Sequence, residues 1–216
     1  LDSAPERSRE ATAVGDRDDR GRTVEQDGFE VGLHVNTNCQ DWTPAQLDGF
    51  YSTQLASFFG YLPSVPNPSS ERTHCISWSD WVTQAKTKAT YGIRLDTNYY
   101  YWPPGWVLNR PGMFTGSGMP MRFADLDGTM IDVFQVTTQM TDESGQAYPY
   151  TIDTLLDRAL GSEGYYGVFT ANMHTSSTTS AGLRSGLRAM SLPARLQTLG
   201  EAIDVPDIFM VSPPGT

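Results

Sequence analysis

A chain of 216 residues is long enough to form one domain with a substantial hydrophobic core. Its hydrophobic fraction is 38%, and no apolar run is long enough to cross a bilayer, so we expect no membrane insertion. The formal net charge of −10, without a cluster of basic residues among aromatic ones, argues against nucleic acid as a partner.

Residues 1–27 contain almost nothing apolar and include a mixed-charge run at 16–20. Such a segment buries too little surface to offset the conformational entropy that it would lose on ordering. We expect a disordered tail or a linker there.

The first strand signal is the alternation of Phe29, Val31 and Leu33, which has the period of a half-buried β-strand. His34 follows this strand directly. In α/β folds, functional residues concentrate at the carboxyl ends of strands and in the loops after them. His34 is therefore either a candidate functional residue or a hydrogen-bonded structural histidine.

The strongest helix signal comes next. Thr43 to Gln46 has the pattern of a capping box with Pro44 at the first helical position, and Gly60 marks the end. An apolar stripe runs between these limits. Its members are Leu47, Phe50, Tyr51, Leu55, Phe58 and Phe59.

The remaining elements alternate between strand and helix, which predicts an α/β layer or barrel architecture. The predicted strands lie at 72–77, 92–96, 130–136 and 165–173, with extended chain at 113–124. The predicted helices begin at Ser79 and Thr151. Residues 177–216 form a poorly patterned C-terminal extension, with weak signals for a helix at 181–190 and extended chain at 208–211.

The segment Gly28-Phe29-Glu30-Val31-Gly32-Leu33-His34 resembles the second conserved segment of the polysaccharide deacetylases, the NodB-like carbohydrate esterases. Two later segments follow in the family's order: residues 93–99, and residues 168–174, which end at His174. The resemblance covers roughly residues 28–175, within a deacetylase-like domain expected at 28–176. It implies a deformed, incomplete (β/α) barrel that acts on an N-acetylated or related polysaccharide.

In that family a zinc-like divalent metal polarises the acetamide carbonyl and activates water, while a carboxylate and a histidine move protons. The resemblance implies metal ligands at His34 and Asn38, where Asn38 stands in place of the family's second histidine. His74 is a candidate for the missing nitrogen ligand. The alternative is a non-catalytic carbohydrate-binding or structural module with a degenerate metal site.

Catalytic roles fall on three residues. His174 would be the general acid, and Arg94 and Asp96 would orient one another and the substrate, or form an ion pair that holds the rim. Candidate contacts to sugar rings come from polar and aromatic side chains, of which the aromatic ones are also common in plain packing. These residues are Asn36, Asn98, Tyr99, Tyr100 and Trp102.

Cys39 and Cys75 are the only cysteines, and each follows a histidine-bearing segment. They form either a disulfide, which would imply export, or two buried free thiols. The many Asn, Ser, Thr and Tyr residues suit a secreted protein that handles carbohydrate.

A rival motif lies at residues 123–130, where Asp125 and Asp127 resemble the nucleophile loop of haloacid-dehalogenase-type phosphatases. That chemistry needs a downstream basic residue and a late acidic pair, yet no lysine follows Lys88. A polar turn is the alternative interpretation.

Overall fold

The computed structural model describes residues 4–98, 120–141, 147, 150–160, 162, 168–172 and 207–211. Four helices lie within these residues: α1 (Ala4–Gln26), α2 (Pro44–Tyr61), α3 (Thr83–Thr90) and α4 (Tyr150–Leu160). The described strands are β1 (Phe29–Leu33), β2 (Ser70–Glu71), β3 (Leu95–Asp96), β4 (Met121–Ala124), β5 (Met130–Gln135), β6 (Thr138–Thr141), β7 (Thr170–Asn172) and β8 (Asp207–Val211).

Six of the strands form one sheet in the order β4-β5-β3-β2-β1-β8. All neighbouring pairs in it are parallel except β4 and β5, which are antiparallel. The strands β6 and β7 form a second, parallel pair. The predicted α/β class is therefore confirmed at the level of a mixed fold with a largely parallel sheet.

The parallel strands lie beside one another in chain order. β1 is followed in space by β2, then β3, then β5. Only two residues separate β5 from β6, so the chain passes directly into the second pair, where β7 is the next strand. On its other side, β1 pairs with β8 along its whole length.

Helix α2 begins and packs as its sequence predicts. The Thr43 side chain accepts a hydrogen bond from the Gln46 amide, and the Gln46 side chain accepts one from the Thr43 amide. Its apolar stripe faces the main core, which also contains Val31 and Leu33 from β1. The buried members of the stripe are Leu47, Tyr51, Leu55 and Phe58.

The expectation of disorder at residues 1–27 differs from the structure, in which residues 4–26 form α1. Several small interactions attach the helix to the domain. Gly21 lies so close to Val65 that a Cβ there would approach its side chain to 2.8 Å, and Val24 packs on the core. In addition, the Asp18 carboxylate accepts the Ser64 amide at 2.8 Å. Composition did not reveal these contacts because they depend on a glycine and a carboxylate.

The region around His74 is less regular than predicted. Strand β2 ends at Glu71, and His74 takes part only in an isolated parallel bridge with Asn36. Cys75 and Ile76 have φ angles of 59° and 54°, a left-handed conformation that a strand cannot contain. The predicted strand at 72–77 is therefore wrong, since β2 precedes it and only His74 within it makes a β-bridge.

Helix α3 begins at Thr83 rather than near Ser79. The Ser79 hydroxyl instead accepts the Trp42 amide at 3.0 Å and donates to Asp41 at 3.1 Å. The loop after His74 is thereby attached to the loop after β1.

The later predictions that fall on described residues are largely confirmed. Strand β5 covers most of the segment predicted at 130–136, helix α4 begins next to Thr151, and β7 and β8 lie in the segments predicted as extended. The predicted helix at 181–190 lies outside the described residues. Within the described residues, no helix combines the length and the apolar character needed to cross a membrane.

Candidate functional site

The candidate site lies where the chain leaves the carboxyl ends of three neighbouring parallel strands. His34 follows β1, residues 72–74 follow β2, and residues 97–98 follow β3. Because the three strands are parallel and adjacent, their exits meet at one edge of the sheet. This edge is where α/β proteins usually place ligands.

His34 and His74, which are 40 residues apart in the chain, meet at this edge. Their rings lie edge to face with centroids 5.3 Å apart, and His34 Nε2 is 3.3 Å from His74 Nδ1. On its other side, His34 Nδ1 is 2.5 Å from the Arg72 carbonyl oxygen. A carbonyl only accepts, so Nδ1 carries the proton, and in the neutral ring Nε2 is the acceptor that faces His74.

This arrangement suits two ligands of one metal ion. With Zn–N bonds of about 2.0–2.1 Å, two nitrogens of a tetrahedral site lie about 3.3–3.4 Å apart. The separation of His34 Nε2 and His74 Nδ1 is 3.3 Å. The carbonyl that fixes the other nitrogen of His34 is the usual partner of a metal-binding histidine. Without a metal, the same two nitrogens share a proton in a hydrogen bond.

The third predicted ligand, Asn38, lies in a tight turn. Its amide donates to the Asn36 side-chain oxygen at 2.7 Å, and its φ of 60° is one that asparagine tolerates. The Asn36 side chain is therefore used in the turn, while the backbone of Asn36 exchanges two hydrogen bonds with the side chain of Gln54.

Cys39 and Cys75 form a disulfide, so the first of the two cysteine interpretations applies. Both cysteines are exposed, and their sulfurs lie within 4.8 Å of a His74 ring nitrogen. Proximity alone would make this trio a candidate metal site. However, sulfurs bonded to each other are not thiolates, and thiolate is the form that binds metals. We therefore assign the disulfide a structural role, and the pair of histidines carries the metal hypothesis.

Below the histidines lies a buried cluster of charges. The Lys88 ammonium contacts the carboxylates of both Glu71 and Asp96, at 2.5 Å in the case of Glu71. All three side chains are completely buried. Glu71 and Asp96 are the last residues of β2 and β3, so the cluster lies at the same edge of the sheet as the histidines.

One ammonium is thus shared by two buried carboxyl groups. Burial raises the pKa of Glu71, and the neighbouring Asp96 adds to this effect, while Lys88 opposes it. Burial alone would lower the pKa of Lys88, but the two carboxylates outweigh it and the pKa is raised. Lys88 is therefore held in its charged form. Burial also raises the pKa of Tyr51, which donates to Glu71 at 3.0 Å.

The cluster continues into a network of neutral side chains. Thr73 donates its hydroxyl hydrogen to Glu71 and accepts from the side-chain amides of Gln84 and Asn98. The Thr73 amide donates to the Asn98 side-chain oxygen at 2.6 Å. Each hydrogen-bonding capacity of the Thr73 hydroxyl is therefore used.

Sequence reasoning missed most of this network, namely Tyr51, Glu71, Thr73, Gln84 and Lys88. The sequence places Tyr51 in the apolar stripe of α2 and indicates no role for the others. One signal was available, because Lys86 and Lys88 are the only lysines of the chain. Lys88 follows two residues after Lys86, and such spacing places the two on different faces of a helix.

Arg94 and Asp96 do not face each other, which corrects the prediction that they pair. Arg94 is exposed and contacts Asp132 of β5 at 3.3 Å, whereas Asp96 is buried against Lys88 and Asn98. The predicted contact of Asn98 with a sugar is also not supported, since its side chain is fully buried in the network. Four further predicted catalytic or sugar-binding residues lie outside the described residues: Tyr99, Tyr100, Trp102 and His174.

Asp125 and Asp127 lie in the turn of the antiparallel hairpin between β4 and β5. Asp125 contacts Lys86, and this hydrogen bond lowers the pKa of Asp125. A phosphatase nucleophile loop would instead follow the carboxyl end of a parallel strand. The geometry agrees with the polar turn.

No family model matches this chain, and the searches of curated proteins and of solved structures likewise found no match.

Proposed function

We propose that this chain is an extracellular polysaccharide deacetylase-like domain whose divalent, zinc-like metal is bound by His34 and His74. The observation that carries the proposal is the 3.3 Å separation of two imidazole nitrogens from separate strand exits. The resemblance of residues 28–34 to the deacetylases had selected His34 independently of this geometry.

The order of the strands supports the finer proposal of an incomplete (β/α) barrel. In a barrel, parallel strands follow each other in space in chain order, whereas a doubly wound sheet reverses its order at a switch point. Here β1, β2, β3 and β5 lie side by side in chain order, while antiparallel β4 covers the other side of β5 and β6 pairs with β7 separately. A late strand, β8, pairs with the other side of β1, and this pairing is compatible with a barrel.

The site would bind the carbonyl of an N-acetyl or O-acetyl group on a glycan. A bound metal supplies Lewis-acid polarisation of that carbonyl and acidifies a water molecule. His34 and His74 would hold the ion, and the Arg72 carbonyl fixes the ring of His34. Asn38 is the proposed third ligand, His174 the proposed general acid, and Tyr99, Tyr100 and Trp102 the proposed sugar-stacking residues.

Export from the cell is part of the proposal. The disulfide between Cys39 and Cys75 supports it, because disulfides persist mainly in oxidising compartments.

The chain contains only three histidines, so the ligand set is open to complete testing. Metal-free protein is titrated with Co²⁺ and followed by absorption and calorimetry. We expect His34→Gln and His74→Gln each to weaken binding more than the roughly 10–100-fold typical of an outer-shell loss, since each removes a ligand. His174→Gln serves as the matched control and should bind Co²⁺ like the wild type. Equal binding by all four proteins would refute the histidine pair as the site.

Catalysis is tested separately by the release of acetate from chitin oligomers and acetylated xylan by the Zn²⁺-loaded protein. We expect the wild type to release acetate. The variant His174→Ala should release none while it still binds the metal. Metal binding and glycan binding without acetate release would instead identify the non-catalytic carbohydrate-binding module.

Asn38 offers a gain-of-function test of the metal site. An imidazole is a better ligand for zinc-like ions than an amide oxygen, and histidine tolerates a φ near 60°. We therefore expect Asn38→His to bind Co²⁺ at least about 10-fold more tightly than the wild type. Asn38→Asp controls for added charge, and a weaker Asn38→His site would show that residue 38 does not reach the ion.

A further inference from the structure

We propose that Glu71 is a positioning residue that sets the separation of the His34 and His74 rings through a buried network held by Lys88. The inference rests on the proposed function, because it concerns the same pair of histidines. It assigns a role to buried groups that the proposed chemistry does not itself use.

Glu71 is bonded to the neighbours of both histidines. Its Oε1 atom accepts the amide of Val35, the residue after His34, at 3.3 Å. Its Oε2 atom accepts the hydroxyl of Thr73, the residue before His74, at 3.2 Å. A single carboxylate therefore connects the two chain segments that deliver the rings.

Further hydrogen bonds and an ion pair hold this connection in place. Tyr51 of α2 and Lys88 of α3 both donate to Glu71 Oε2, so two helices hold the carboxylate in place. Arg72, between Glu71 and Thr73, supplies the carbonyl that fixes His34 Nδ1, and its guanidinium donates to Thr138 at 2.7 Å. A shift of Glu71 would therefore move the carbonyl on one histidine and the backbone of the other.

A second buried carboxylate provides the comparison that separates positioning from stability. Glu30 of β1 accepts the amides of Ser69 and Ser70, at 2.6 Å and 2.9 Å, and so joins β1 to β2 as well. Like Glu71, it is nearly inaccessible to solvent. It lies in the first half of β1, however, and the residues that it bonds are not adjacent to either histidine.

The experiment compares Glu71→Gln with Glu30→Gln in the full chain, below the melting temperature of each protein. Two properties are measured: the Co²⁺ affinity and the tautomer of each imidazole in metal-free protein, read from long-range ¹H–¹⁵N correlations. For the wild type we expect His34 protonated at Nδ1. In Glu71→Gln we expect the His34 ring to populate both tautomers. We also expect this variant to bind Co²⁺ about 10–100-fold more weakly than the wild type. Glu30→Gln should keep both properties of the wild type, although it melts earlier.

Equal behaviour of the two variants, or an unchanged tautomer in Glu71→Gln, would overturn the proposal. A wild type that binds no Co²⁺ would count against the metal site alone, because the tautomer of metal-free protein still tests the positioning. If Glu71→Gln does not fold, Thr73→Val replaces it, since this variant removes the hydroxyl that donates to Glu71, together with its contacts to Gln84 and Asn98. Thr73→Ser restores that hydroxyl and is expected to restore the wild-type tautomer.

Discussion

At the scale of single residues, the compensation of buried charge in this protein depends on Lys88. Its ammonium is the charged partner of two buried carboxylates, and all three groups have lost their hydration. A buried ion pair adds little net stability compared with apolar packing, but removing one partner leaves a buried charge without compensation. Lys86, two residues earlier, contacts Asp125 at the surface with half of its side chain exposed.

The two lysines therefore make a matched pair for measuring stability. We expect Lys88→Met to lower the free energy of unfolding by about 3–5 kcal/mol. Lys86→Met should leave the urea midpoint nearly unchanged, because solvent screens its exposed ion pair. Urea denaturation followed by circular dichroism measures both. Similar midpoints for the two variants would mean that the cluster around Lys88 contributes no more than a surface contact.

His34 shows how far residue-level prediction from the sequence can go. The alternation before it predicted both the strand and its position at the strand end, and the structure agrees. The role of Asp96 was not predictable in the same way. Arg94 lies two residues away and was the natural partner, but the fold brings Lys88 to Asp96 and Asp132 to Arg94. Which opposite charge a carboxylate meets depends on packing.

At the scale of elements, Glu30 connects β1 to the segment that leads into β2. Burial raises the pKa of its carboxyl above the ordinary value of 4.5, although hydrogen bonds from Ser70 and Ser69 oppose the rise. The folded state therefore favours the protonated form more than the unfolded state does. The stability that results is complete below the unfolded pKa and is lost as the pH rises through the folded pKa.

This linkage predicts that the free energy of unfolding depends on pH differently in the wild type and in Glu30→Gln. Between pH 4.5 and 7, the free energy of unfolding should fall more steeply in the wild type than in Glu30→Gln, which cannot titrate. The extra slope is at most about 1.4 kcal/mol per pH unit for one proton. Urea titrations at several pH values measure it. The pKa of Glu71 shifts in the same direction in both proteins, so its contribution to the pH dependence cancels in the comparison. Parallel profiles would contradict the assignment of a raised pKa to Glu30.

Elements with strong local signals were predictable, and elements defined by contacts were not. Helix α2 carries its own start signal in a capping box, so its first residue is visible in the sequence. Helix α1 has no apolar face, and the contacts of Gly21 and Asp18 that attach it are specified by residues of another segment. Strand β2 is two residues long and gains its definition only from pairing with β1 and β3.

At the scale of the whole molecule, the disulfide connects the loop after β1 to the loop after β2. Cys39 and Cys75 are separated by 36 positions, and a cross-link over such a loop restricts the unfolded chain. The chain-entropy model gives about 3–4 kcal/mol for this loop length. The same bond crosses the edge of the sheet at which the two histidines meet.

We therefore expect the double variant Cys39→Ala, Cys75→Ala to lose about 3–4 kcal/mol of unfolding free energy relative to the oxidised wild type. Urea denaturation measures the loss. As a control, wild-type protein unfolded without reductant should show no reactive thiol, and reductant should release two per chain. Two thiols before reduction would restore the alternative interpretation of free cysteines.

The sequence by itself determined the α/β class, the strand that delivers His34, the start of α2 and the two cysteines that could pair. These features rest on local periodicity, on capping chemistry and on the composition of the chain. Only the tertiary structure decided that His34 and His74 face each other, that Lys88 joins Glu71 to Asp96, and that residues 4–26 form a helix on the domain. The physical reason is that these features are contacts between residues far apart in the chain, and such contacts depend on how the strands and helices pack.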